Sequence, residues 1–189
     1  TQFGAVGHLV AATIIHDANF LELKAEMSKS GRHFQSETDT ELISHVIAVS
    51  EAPTLEERVR EGLSRVQGAY AIAVMSEREP DKIVVAKNAS PLILGVLEEG
   101  GMLASDIPAL LPYTRDVLIM EEGEMAIVEK SGIRLMNMVG EAIDRTPRRI
   151  EWSPVMAEKA GHKHFMHKEI FEQPRALGDT LRGRINDDD

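Results

Sequence analysis

Residues 69–87 read AYAIAVMSEREPDKIVVAK, two β-rich apolar runs on either side of the turn signal EREPD. Their reading decides the fold, because the chain has helical texture before them and strand texture after them. The runs LILGVL, VLIME, MAIVEK and IRLMNMV follow, set off by the turn signals EEGG, EEGE and KSG. Between LILGVL and VLIME, ASDIPALLPYT reads as a short helix capped by Ser105 or Asp106.

Upstream, LVAATII at 9–15 is an apolar run of strand length. FLELKAEMSKSG carries apolar residues at 20, 21, 23 and 27 and stops at Gly31, which predicts a helix with a glycine C-cap. A second helix is expected over 39–50. A third is expected after Pro53, where Thr54 and Glu57 have capping-box spacing, and it should end near Gly68. Helices first and a meander of mostly antiparallel strands second make an α+β layered domain, not an alternating βαβ fold. From about residue 141 the chain turns polar and irregular. HFMHKEIFEQPRALGDTLRGRI then has helical character with Pro174 inside it, which predicts two helical pieces joined at Gln173–Pro174. The expected organisation is a domain over 1–150 and a linker or tail over 151–189.

The 189 residues suffice for one domain, with or without a tail, and 43% hydrophobic and 28% charged residues are ordinary for a globular chain. Lys and Arg number 21 against 31 Asp and Glu, a net charge of −10 with no basic patch, which argues against nucleic acid as a partner. No run reaches membrane-spanning length and no charged-then-apolar leader opens the chain, so a soluble, cytoplasmic protein is expected. Cysteine is absent, which excludes disulfides, thiolate metal sites and a cysteine nucleophile in these residues.

The stretch FQSETDTELISHVI, residues 34–47, crowds carboxylates and hydroxyls ahead of an apolar helical pattern. Ser36, Thr38 and Asp39 are all good N-cap types, Thr38 and Glu41 have capping-box spacing, and Leu42, Ile43 and Val46 form the buried face. One side chain suffices to cap; the others are free for a ligand, most naturally one carrying an ammonium group. His45, beside the apolar stripe, reads as a satisfied core histidine. His162, His164 and His167 lie close in sequence, but only 164 and 167 share a helical face and Glu169 is the one carboxylate at a matching offset. They read as interdomain polar contacts and not as a metal site. NASPL and LASD read as a strand-end loop and a helix cap, and the nine methionines as core filler.

Taken together, NFLELKAEM, SETDTELISHVI, VQGAYAIAVMSEREPDKIV, SPLILG, LASDIPALLPYTR and KHFMHKEIFEQP resemble the glutaminase domain of the glucosamine-6-phosphate synthases (glutamine:fructose-6-phosphate amidotransferases), nearly gapless from Asn19 to Ile185. The resemblance implies a four-layer αββα sandwich of the N-terminal-nucleophile-hydrolase type. In that family an N-terminal cysteine attacks the glutamine amide, and the ammonia passes to a sugar-isomerase domain acting on fructose 6-phosphate. It implies no metal and no organic cofactor for this half. It assigns Asp39, the aspartate of SETDTE, to the α-ammonium of L-glutamine, and leaves Thr38 as the cap.

The first residues depart from the family. Setting TQF on the family's TRW and IIHDA on its VVHNG puts Gln2 at a carboxylate-binding arginine, and Asp17 and Ala18 at the oxyanion-hole asparagine and glycine. A gapless alignment puts Ile14 and Ile15 there instead. Gln2 offers no cationic fork, and an ionised Asp17 repels a developing oxyanion that an amide would stabilise. The nucleophile segment is absent from these residues, so the sandwich is expected to lack its first strands, and the open sheet edges that would follow predict a homo-oligomer. An active glutaminase incompletely represented and a catalytically silent glutamine-binding or interaction domain both remain open. Thr1 offers a third course, an N-terminal nucleophile with its own amine as base, although QFGAVG matches a loop better than the strand this would need.

Overall fold

The computed structural model describes residues 2–6, 9–17, 19–151 and 164–181, with side chains from Asn19 onward except at 165, 175 and 178–181. The chain divides into two compact units, Thr1–Ile150 and Glu151–Asp189. The first contains β1 (Gln2–Val6), β2 (Leu9–Asp17), α1 (Phe20–Lys29), α2 (Asp39–Ala48), α3 (Leu55–Leu63), β3 (Gly68–Ser76), β4 (Glu79–Asn88), β5 (Ile93–Val96), β6 (Gly101–Ala104), β7 (Asp116–Ile119), β8 (Glu124–Glu129), β9 (Gly132–Asn137), β10 (Ala142–Ile143) and β11 (Arg148–Arg149). The second contains α4 (Phe165–Leu181).

Seven strands pair in the order β1-β2-β3-β4-β8-β9-β10 and four in the order β11-β7-β5-β6, every pair antiparallel. The middle strands of the larger sheet are buried on both faces and divide their side chains between two cores. Tyr70, Ile72 and Val74 of β3, Val84 and Ala86 of β4, and Met125 and Ile127 of β8 meet Ile43, Ile47, Leu55, Val59 and Leu63 of the helices. Their alternates Ala71, Val85, Ala126 and Val128 face Leu94 of β5 and Leu118 of β7 across the sandwich. A strand covered on both sides needs apolar residues at successive positions, which explains why AYAIAV and IVVA are continuous and not alternating.

The helices are held by their ends. Gly31, at φ 84°, closes α1 with Arg32 N–H on Met27 O at 3.0 Å and Gly31 N–H on Ser28 O at 3.0 Å, a Schellman closure. Thr54 and Glu57 complete the capping box of α3: Thr54 Oγ1 accepts from Glu57 N–H at 3.3 Å, and Glu57 accepts from Thr54 N–H at 3.2 Å. Asn19 does not cap α1. Its side chain donates to Arg65 O and accepts from Gln67 N–H, both at 2.9 Å, and so staples the start of α1 to the chain entering β3.

Several expectations change. QFGAV, matched above to a loop, is strand β1, paired from Gln2↔Thr13 to Val6↔Leu9. α3 ends at Leu63, because tightened turns carry Arg65 and Val66 back toward the core and Gly68 opens β3. ASDIPALLPYT is a run of turns and not a regular helix, although Asp106 Oδ1 accepts from Ala109 N–H at 3.1 Å as a cap would. This run lies on the outer face of the smaller sheet, where a Cβ on Gly95 would meet Thr114 Cγ2 at 2.7 Å and Leu110 Cδ2 at 3.3 Å. The two β layers and one helical layer of the expected sandwich are thus regular, and among the described residues of 1–150 a turn-built segment covers the remaining face. The polar stretch after 141 contains β10 and β11, and Arg149 pairs with Asp116 at 3.1 Å. α4 runs unbroken through Pro174, so a proline that forfeits one bond and costs about 3 kcal/mol is absorbed by flanking residues of good helix propensity.

α2 and α3 cross at Gly62, where an added Cβ would stand 2.9 Å from Ile47 Cγ1 and 3.1 Å from Ile47 Cα. Overpacking of this kind costs about 1–3 kcal/mol, whereas replacing a helical glycine by alanine returns about 1 kcal/mol of propensity. Gly62→Val is expected to lower the unfolding free energy by about 2 kcal/mol or more and Gly62→Ala by less, as measured by urea denaturation.

Candidate functional site

α2 starts at a cap that uses one of the crowded side chains. Thr38, extended at φ −87° and ψ 140°, accepts from Glu41 N–H through Oγ1 at 3.4 Å. Glu41 does not return to Thr38 N–H as a closed capping box requires. Its buried carboxylate reaches farther back, accepting from Gln35 N–H at 2.7 Å, Ser36 N–H at 2.6 Å and Ser36 Oγ at 2.5 Å. Ser36 Oγ also takes Thr38 N–H at 3.3 Å and lies 2.9 Å from Thr38 Oγ1. Asp39, the first helical residue, is half-buried and its carboxylate has no hydrogen-bond or ion-pair partner among the described residues. The division expected from the sequence, Thr38 as cap and Asp39 left over, is the one observed. The role of Glu41 as the anchor of residues 35–36 was missed. A carboxylate with capping spacing preceded by Ser36 was the available signal.

His45 is one turn further along α2. It is buried, with Nε2 3.7 Å from Glu41 Oε1 and the Phe34 ring edge-on at 4.6 Å. Neither ring nitrogen has a hydrogen-bond partner, so it is a core histidine but not a satisfied one. Burial pushes His45 below its ordinary pKa, and Glu41 opposes this without prevailing. For Glu41, burial alone would raise the pKa, but the hydrogen bonds from Gln35 and Ser36, with His45 nearby, outweigh it and hold the carboxyl below its ordinary range.

α2 packs across β1 and β2, the strands that carry Gln2 and Asp17. Asp17 is the last residue of β2, opposite Gly68 at the start of β3, and Gln2 lies opposite Thr13. Asp17 is therefore four residues, about 13 Å, beyond Gln2's partner toward the same sheet end. Thr1 and Ala18 lie outside the described residues, as does His162. β4 finishes at the same end, where Asn88 Nδ2 donates to Gly68 O at 2.6 Å. Ala89 follows at φ 58°, a left-handed conformation costing a non-glycine residue about 1–2 kcal/mol. Glu122 holds it there by accepting from Ala89 N–H and from Lys87 Nζ at 2.9 Å, contacts that keep its carboxyl below the usual range. NASPL is thus the strand-end loop expected, with a clamp no sequence pattern announced.

In the second unit His164 and His167 are exposed, and the His167 ring stacks obliquely on Phe171 at 4.8 Å. No cluster of metal-ligating side chains occurs among the described residues, and none of their helices is long and apolar enough to cross a membrane.

Two solved structures have this architecture. Glutamine phosphoribosylpyrophosphate amidotransferase from B. subtilis, complexed with ADP and GMP, matches with a TM-score of 0.63 and 28% identity over 72% of this chain and 30% of its own. A structure titled as the allosteric regulatory enzyme of purine biosynthesis matches with a TM-score of 0.63 and 27% identity over the same shares. The fold is therefore that of the amidotransferases with an N-terminal-nucleophile-hydrolase sandwich.

Residues 7–112 match the family described as glutamine amidotransferase domain, and the chain belongs to that family. It is 49% identical over 176 residues, 92% of its length, to glutamine–fructose-6-phosphate aminotransferase (isomerizing) of Symbiobacterium thermophilum, and 42% identical over 179 residues to the enzyme of that name from Aquifex aeolicus. The resemblance carried by SETDTE and KHFMHKEIFEQP is borne out: this is a glutamine amidotransferase domain of the kind found in those aminotransferases. The chain spans 29% and 30% of the length of these two relatives.

The buried His45–Glu41 pair sets an acid limb of stability. His45 binds its proton at lower pH folded than unfolded, so the unfolded state holds more protons below pH 6.5 and stability falls as pH drops through that window. Glu41, also depressed when folded, contributes stability that is present above pH 4.5 and lost as pH falls through its folded value. The urea midpoint is expected to decline from about pH 6.5 downward. His45→Gln should remove the upper part of that decline, and Glu41→Gln should reduce the lower part, to which the depressed carboxyls of Glu56 and Glu122 also contribute.

Proposed function

We propose that this chain binds L-glutamine through Asp39 and serves as the glutaminase part of a longer enzyme that transfers the released ammonia to fructose 6-phosphate. The observation that carries the reading is the half-buried Asp39 carboxylate, unpartnered among the described residues at the first position of α2 while Thr38 does the capping. An amino acid's α-ammonium is the complement of such a group, and a charged hydrogen bond between them contributes roughly 1.5–3 kcal/mol. Family membership supplies the ligand class, the names of the relatives supply the acceptor sugar and an isomerizing reaction, and the resemblance in sequence supplies a sugar-isomerase domain as the partner in the complete enzyme.

Binding and turnover are separable. The 189 residues contain no cysteine. In the alignment with gaps, Asp17 stands where the family has an amide donor, and losing one such donor lowers the rate on the order of 10²–10³-fold. Calorimetry with glutamine, run alongside a glutamate-release assay, distinguishes the two. Saturable binding is expected in the wild type, and Asp39→Asn should weaken it by about 10- to 100-fold with the thermal transition intact. Binding without glutamate release would favour a non-catalytic glutamine-binding domain. Full affinity in a folded Asp39→Asn variant would remove Asp39 from the site.

A further inference from the structure

We infer that Glu41 is a positioning residue for the Asp39 site: it locks the cap of α2 at Thr38 and so prevents Asp39 from becoming the cap itself. The inference rests on the reading of Asp39 as the ammonium ligand.

Two cap frames compete at the start of α2. Aspartate is at least as good an N-cap as threonine. If the helix began one residue later, Asp39 would be the cap, with its carboxylate on the N–H of Leu42 three residues on. That N–H is poorly held in the observed frame, since its bond to Thr38 O is 3.5 Å long. A shift would therefore forfeit little at Leu42 and would occupy the carboxylate that a ligand needs. Something upstream must hold the observed frame.

Comparison with α3 in the same molecule identifies it. Both helices begin Thr-x-x-Glu, but Glu57 closes on its own cap residue, accepting from Thr54 N–H at 3.2 Å and Thr54 Oγ1 at 2.8 Å. The first residue of α3 is the fully buried Leu55, which has no competing cap chemistry. Glu41 instead reaches past its cap to Gln35 N–H, Ser36 N–H and Ser36 Oγ. Ser36 Oγ passes the constraint on to Thr38 N–H and lies against Thr38 Oγ1, which accepts from Glu41 N–H. The ring closes on Glu41 and passes through Thr38 without using Asp39. Thr38 cannot leave the cap position without breaking it.

The test follows the Asp39 carboxyl by ¹³C NMR titration and glutamine affinity by calorimetry, in the full chain and in Glu41→Gln, Ser36→Ala and Asp39→Asn. Gln35 and Ser36 are held by different oxygens of Glu41, so an amide in that orientation turns its NH2 toward one of these donors and loses that contact. In Glu41→Gln the Asp39 titration midpoint is expected to fall below the wild-type midpoint as that carboxylate accepts a helix N–H, and glutamine affinity to drop about tenfold or more. Ser36→Ala should move both readouts the same way by less, and it decides the matter if Glu41→Gln does not fold. An unchanged Asp39 titration in a folded Glu41→Gln variant overturns the inference, even if affinity falls, because general loosening would not redirect the carboxylate. If Asp39→Asn leaves glutamine affinity unaltered, the ligand reading fails, and the Asp39 titration alone still decides whether Glu41 locks the frame.

Discussion

Double burial of the larger sheet is the constraint on which the rest of the molecule depends. With β3, β4 and β8 apolar on both faces, neither face can be left to water, and each supplies half of a core. One half requires amphipathic helices, which α2 and α3 provide with Ile43, Ile47, Leu55, Val59 and Leu63. The other requires a second sheet, which β5 and β7 provide with Leu94 and Leu118. A full exchange of Leu or Ile for Ala in either layer would remove about 2–5 kcal/mol, a large part of the total stability of an ordinary domain. The layering is thus a consequence of strand composition more than of connectivity.

This is also why the fold was legible in the sequence. The continuous runs at 69–76 and 82–87 mark strands covered on both sides, the periodic run at 20–29 marks a helix covered on one, and α2 is buried from Thr40 to Ile47 between α1 and the sheet. Legibility fails where tertiary context outweighs local preference. β6 is four residues that open on glycine and pair, among the described residues, only with β5, too short to carry a pattern. β10 and β11 are shorter still, defined by pairing with β9 and β7. The turn-built segment after Ser105 had the composition of a helix, but it has to follow the surface over Gly95, and a straight helical axis was not retained.

The site was legible in a different way. Thr38 and Asp39 could be assigned from residue type and spacing, because an N-cap is a local structure built from neighbours in sequence. For Glu41 the capping spacing was visible but not its partners, because these depend on how residues 34–36 turn back onto the helix, and the same four-residue spacing closes differently at Thr54. The Ala89 clamp was hidden for the same reason. Glu122 is 33 residues away and reaches Ala89 only because β4 and β8 pair in the register Lys87↔Glu124.

A common logic connects the two clamps. At each, a buried or charge-assisted acceptor fixes backbone N–H groups that no regular element satisfies, and it does so at the end of an element: Glu41 ahead of α2, Glu122 beyond β4. Hydrogen bonds to an ionised carboxylate are roughly twice as strong as neutral ones, so a single side chain can hold a loop that packing alone would leave free. The acids of this domain therefore divide by what surrounds them. Glu41 and Glu122, which accept from backbone N–H groups, hold the loops in place, whereas Asp39 is half-buried at a helix start with no donor from the described residues and keeps its charge unspent. An amino-acid ligand would need that difference: a rigid surround that forms before binding, and a carboxylate that the surround does not neutralise.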